Sequence, residues 1–234
     1  MSTAEGRQGA VNHWLLWFER RGSASYLSHL DTARALQRTF ARAGIGLALS
    51  EGFRPKARFS LPLPLPVGAA GVEELAVAEV TDEAPPPARA LRALRTAAPD
   101  GLSPARLQAC ASRPHPHPVL ARYTCVVRGD AAELTAAASW YAAQEEVTVE
   151  RVSPKGRRTL DLVKYVEDLA AQAVPGGARI SFAVRYRSDG AARPQEVVDL
   201  VARRASCAPV MHRLTRTAVS YDGLPRDVVS GGEE

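Results

Sequence analysis

Residues 26–68 read YLSHLDTARALQRTFARAGIGLALSEGFRPKARFSLPLPLPVG, and this stretch decides how the first half of the chain folds. Ser28 is placed to cap a helix, with Asp31 three residues on where a capping-box acid would sit. Leu30, Ala33, Leu36 and Phe40 recur at roughly helical spacing and predict a buried stripe. Arg34, Arg38 and Arg42 follow at i, i+4 and i+8, which puts them on one ridge. Gly44 and Gly46 end the helix. Ser50 to Arg58 then carries Gly52 and Pro55, the marks of a loop, together with Arg54, Lys56, Arg58 and Phe53. Six cations and one aromatic ring thus come from a helix face and the loop after it, a composition suited to phosphate oxygens. The plainer reading is a solvated helix face. Solvated faces usually mix signs, however, and the only acids here are Asp31 and Glu51, so polyanion binding is the favoured expectation.

Beyond the loop, Pro62, Pro64 and Pro66 alternate with Leu61, Leu63 and Leu65. Proline donates no ladder hydrogen bond, so this segment is expected to leave the sheet as a strap. Its leucines must then find cover elsewhere, and a partner protein is one candidate.

Working outward, Val11–Arg20 (VNHWLLWFER) is an apolar run with three aromatics and reads as a strand buried on both faces. Ala57–Pro62 and Glu73–Val80 read as strands, Pro85–Ala98 as a helix opened by prolines, and Leu102–Cys110 as a weaker strand. Strand, helix, strand, strand, helix, strand is the ferredoxin-like order. Arg113–Pro118 (RPHPHP) is a stiff connector. The second half repeats the order, with strands at Tyr123–Arg128, Val147–Val152, Arg179–Arg187 and Pro209–Tyr221, and helices at Ala131–Gln144 and Pro194–Ala205. Lys155–Val174, part strand and part helix, reads as an insertion. The expected fold is α+β with two tandem ferredoxin-like (βαββαβ) units, at residues 11–112 and 119–223. Residues 1–10 are expected to be disordered, 113–118 to form the linker and 224–234 a flexible tail.

The chain has 234 residues, a net charge of +5 and three distant cysteines, Cys110, Cys125 and Cys207. This length suits one large or two small domains, and the charge permits a nucleic-acid partner. The cysteine spacing indicates neither a disulfide framework, a zinc cluster nor an iron–sulfur motif. No signal peptide or membrane-length apolar run is present, so the expected location is cytoplasmic.

His29, in the first turn of the basic helix, is the strongest catalytic candidate, since an imidazole beside a phosphate site can act as general base. A first-turn histidine bonded to nearby backbone is the commoner case. His212 reads as a packed strand residue. His115 and His117 alternate with prolines and lack a third ligand, so no metal or other cofactor is expected. A second basic group, Lys155, Arg157 and Arg158 with Arg203 and Arg204, is partly explained by cations favouring a helix C-terminus. Neither a phosphate-binding glycine loop nor a nucleophile elbow occurs.

YLSHLD, SEGFRPKARFSLPLPLPVG, RPQEVVDLV and HRLTRT together resemble the bacterial radical SAM-linked protein family, a domain of unknown function. The resemblance spans Trp14 to Tyr221. It implies an accessory to a radical SAM enzyme in RNA or ribosome modification, encoded beside or fused to a radical SAM protein with a cobalamin-binding-like domain. The favoured expectation is a non-catalytic accessory that recruits or positions an RNA or ribosomal substrate. In that family the loop usually reads Gly-Phe-Asn-Pro-His-Pro. Here Lys56 replaces the histidine, so no role of that histidine carries over. Two alternatives stay open: a metal-independent ribonuclease or other RNA-processing enzyme using His29, and a structural module that meets its partner through Leu61, Leu63 and Leu65.

Overall fold

The computed structural model describes residues 12–153, 156–206 and 211–225. Residues 1–10, Lys155, Cys207, most of the tail and the side chain of His212, all assigned above, lie outside the described residues. The fold is mixed α+β, with a large mixed sheet and four α-helices among the described residues. In chain order the elements are β1 (Asn12–Arg20), α1 (His29–Arg42), β2 (Phe59–Ser60), β3 (Ala70–Val80), α2 (Pro87–Ala97), β4 (Leu102–Cys110), β5 (His117–Arg128), α3 (Ala131–Ala142), β6 (Thr148–Ser153), β7 (Gly156–Asp161), β8 (Val166–Val174), β9 (Gly177–Arg185), α4 (Pro194–Arg204) and β10 (Met211–Asp222). No helix among the described residues is long and apolar enough to cross a membrane. The chain divides into two compact units, the first holding residues 12–67 and 73–116 and the second 68–72 and 117–222. Gly68–Val72 counts with the second unit because Ala70 and Gly71 pair in parallel with Thr215 and Arg216.

In the first unit β1 lies between β4 and β3, antiparallel to β4, while the two-residue β2 pairs antiparallel with β3 through Phe59–Ala78 and Ser60–Val77. Trp14, Leu16 and Phe18 alternate along β1 and pack in one cluster with Leu36 and Phe40 of α1 and Leu94 of α2. Leu15 and Trp17, on the other face, are buried too, as the unbroken apolar run predicts. Ser28 caps α1, its Oγ accepting the Asp31 N–H at 3.1 Å. The buried stripe differs from the expected one. Leu30 is 55% exposed, and the core face is Thr32, Ala35, Leu36, Thr39 and Phe40. Thr32 and Thr39 tolerate burial because each hydroxyl donates to the carbonyl four residues back, on Ser28 and Ala35.

In the second unit the strand order is β10-β5-β9-β8, every neighbour antiparallel. Val147–Val152, expected as a strand of this sheet, lies outside it: β6 pairs only with β7 in a separate two-stranded ribbon. The segment expected to be an insertion instead supplies β8, the edge strand. A bulge explains the misreading. The register of β8 slips between Glu167 and Ala170, where Asp168 takes a φ of 55°. Alternation therefore breaks in the middle of VEDLAAQ, which then looks helical. Arg151 fastens the ribbon to α4, its Nε and Nη2 donating to Glu196 Oε1 and Oε2, both at 2.7 Å.

Candidate nucleic-acid interface

The basic loop is the tip of a hairpin that leaves α1 and returns to β3. At its root Ala48 N–H donates to Glu79 O, Arg58 N–H to Ala48 O and Glu79 N–H to Arg58 O, at 2.8–2.9 Å. Leu47 bridges to Val80 and Leu49 to Ala57. The neck closes where Ser50 N–H meets Lys56 O at 2.8 Å and Lys56 N–H meets Ser50 Oγ at 3.0 Å. Every residue from Glu51 to Lys56 is exposed, and Phe53 reaches 106% of its reference exposure. Gly52 has a φ of +113°, a conformation that favours glycine and lets the tip turn. The helix and the hairpin are joined by Phe40, whose ring meets Phe59 edge-on at 5.9 Å. Between Gln37 and Ala41 of α1 and Ile45, Gly46 and Leu47 of the root runs an open cleft of ≈ 350 Å³.

The expected cations separate into two kinds. Arg34, Arg38, Arg42, Arg54 and Lys56 are exposed. Arg34 lies 3.5 Å from Asp31, a solvated pair of little energetic weight. Arg38, Arg42, Arg54 and Lys56 form no ion pair among the described residues. Arg58 belongs to a different arrangement. Its Nη1 lies 3.0 Å from Glu79, whose carboxylate is 2% exposed and is also met by Arg113 Nε at 3.1 Å. A buried carboxylate needs such partners, so the charge of Arg58 is committed to the hairpin root.

His29 is exposed at the start of α1 and borders a small cavity with Arg20, Thr32, Glu74 and the strap leucines. That cavity is ≈ 10 Å³, about the space of one water, so it offers no room for a substrate. Leu63 and Leu65 are 9% and 6% exposed and turn inward in their own unit, with Leu61 beside them in the same cavity wall. Alternation accounts for this, since Pro64 and Pro66 take the outward positions.

What holds the strap is Arg20, which the sequence reading passed over. It is 1% exposed at the end of β1. Its Nη1 donates to Leu27 O at 3.1 Å and Thr32 Oγ1 at 3.2 Å, and its Nη2 donates to Pro66 O at 2.7 Å. The second basic group is also engaged. Arg157 pairs with Glu150 at 3.0 Å, Arg158 donates to Asp189 O at 3.2 Å, and Arg204 lies 4.4 Å over the Trp140 ring. Among the described residues no three His, Cys, Asp or Glu side chains are grouped to hold a metal.

No curated protein matches the sequence. Among solved structures, an unknown protein from Galdieria sulphuraria aligns over 84% of this chain and 93% of its own, at 12% identity and a TM-score of 0.27. A protein described as a candidate glycine cleavage system transcriptional repressor aligns over 92% of this chain and 99% of its own, at 11% identity and a TM-score of 0.23. Similarity at that level carries no argument about fold or function. The family model described as "uncharacterized protein conserved in bacteria (DUF2344)" matches residues 14–194, and the chain belongs to that family.

Proposed function

We propose that the protein is a non-catalytic accessory that binds RNA through phosphate contacts made by α1 and the hairpin tip, presenting an RNA or ribosomal substrate to a radical SAM partner. One observation carries the RNA part. On α1 and its adjoining loop Arg38, Arg42, Arg54 and Lys56 are exposed and meet no carboxylate among the described residues, whereas Arg58 of the same hairpin is paired with the buried Glu79. Unbalanced cations gathered on one helix and its adjoining loop suit a polyanion better than a solvated face of mixed sign. The radical SAM part rests on the resemblance of the motifs. We read the architecture as two ferredoxin-like units. In support, β4-β1-β3 with β2 beyond β3, and β10-β5-β9-β8, each place the fourth strand beside the first and the third beside the second.

The test is RNA binding as a function of salt. Each neutralised phosphate of a single strand contributes about −0.7 to the slope of log K against log salt. Arg38→Gln with Arg54→Gln should weaken binding across sequences and make the slope shallower by up to about 1.4. The control is Arg203→Gln with Arg204→Gln, where the arginines are engaged by Asp199 O and the Trp140 ring. Equal loss in both doubles would mean diffuse attraction to a basic protein. Cleavage of the RNA that disappears in His29→Ala would replace the accessory reading with an enzyme.

A further inference from the structure

We infer that Phe53 is a stacking platform for an unpaired base, so that the ligand of the hairpin tip is single-stranded RNA rather than duplex. This rests on the phosphate-binding reading above and adds the class of RNA to it. The first observation is exposure. Tyr26, Leu30, Leu49 and Val67 are exposed large apolar residues that all keep part of their surface covered, whereas Phe53 keeps none. An aromatic ring held wholly in water contributes nothing to packing and leaves both faces open.

The second observation is how the ring is held. The neck bonds between Ser50 and Lys56 and the turn at Gly52 and Pro55 fix the tip without using the Phe53 side chain. Binding there therefore costs less ordering than binding to a loose loop.

The third is charge. Arg54 follows the ring directly, Lys56 comes two residues later, and both are exposed and unpaired among the described residues. An aromatic face among cations is the combination that binds single strands, the base stacking while its phosphates meet the cations. A duplex keeps its base faces stacked internally and would leave the ring in water.

The experiment uses the full chain and one short pyrimidine-rich RNA, presented single-stranded or annealed to its complement, with fluorescence anisotropy as the readout. Phe53→Ala and Phe53→Leu should weaken single-strand binding about tenfold, the scale of one base–aromatic stack. Phe53→Trp should retain it. Duplex binding should be unchanged in all three, and so should the salt slope, because the ring neutralises no phosphate. Since the ring packs against nothing, none of these variants should alter the urea midpoint. If Phe53→Ala binds single strands as well as the wild type while salt-dependent binding persists, the stacking inference is wrong and the phosphate reading stands. Full binding by Phe53→Leu would likewise overturn it in favour of simple apolar contact. Wild-type protein with no salt-dependent binding to either RNA would remove both, and loss of a native protein partner on Phe53→Ala would then assign the tip to a protein surface.

Discussion

Arg20→Met should be among the most damaging single substitutions in the first unit. Its guanidinium donates short hydrogen bonds to Leu27 O, Thr32 Oγ1 and Pro66 O, and reaches Leu65 O only at 3.4 Å. Bonds from a charged donor contribute about 1.5–3 kcal/mol each. Counting the three short ones at the lower end gives a loss of about 4–5 kcal/mol, within the range for breaking a buried charge network. Met retains much of the aliphatic stem, so little of this loss comes from packing. Arg20→Lys keeps the charge without the planar fork and should fall between. The assay is urea unfolding followed by tryptophan fluorescence in a Trp140→Phe background, which leaves Trp14 and Trp17 of the first unit as reporters. A single domain commonly has about 5–15 kcal/mol of stability, so the Met variant should unfold at a much lower midpoint. A shift worth under 1 kcal/mol at an unchanged m-value would refute the role assigned to Arg20.

Two further outcomes concern the second unit. Burial opposes ionisation of Glu196, but the bonds from Arg151 and from the Arg193 N–H outweigh it and hold the carboxyl below its ordinary value of 4.5. The stability this contributes is present above pH 4.5 and is lost as pH falls through the lower folded value. Glu196→Gln should therefore cost about 2 kcal/mol at pH 7 and progressively less in acid, and a deficit independent of pH would contradict the ion pair. Burial pushes the Cys125 thiol up to about 12, so in the folded protein it should resist iodoacetamide at pH 8 and label only on unfolding. Rapid labelling of Cys125 in native protein, read by mass spectrometry, would overturn this.

Local signals were readable from the sequence. Ser28 and Asp31 marked the start of α1, prolines marked the starts of α2 and α4, and all four helices lie within a few residues of their expected positions. What escaped depends on partners distant in the chain. Arg20 looked like an ordinary polar strand end because its acceptors are mostly backbone carbonyls, one of them 46 residues away, and no residue type announces an available carbonyl. Arg58 could be counted with the phosphate-binding cations because nothing nearby reveals that Glu79, 21 residues on, is buried beneath it. Leu30 was assigned to the core by polarity alone and Thr32 was passed over, although a threonine that bonds its own helix backbone is a good core residue. In the second unit the one-residue excursion at Asp168 concealed an entire edge strand. The candidate site was legible only as a set of residue types, and the division of its cations into committed and uncommitted ones was not.

The way the hairpin is built has a consequence for how this protein can change over generations. Its root is fastened by backbone bonds at Ala48, Arg58 and Glu79, and its neck by Ser50, so the exposed residues from Gly52 to Pro55 are not what fastens it. Apart from Gly52, whose backbone angle restricts it, each can be exchanged at a cost near that of any surface substitution, within about 0.5 kcal/mol. Selection on the chemistry of the tip is thus uncoupled from selection on whether the chain folds. A lineage can alter the surface of the tip by single steps, each passing through a stable protein.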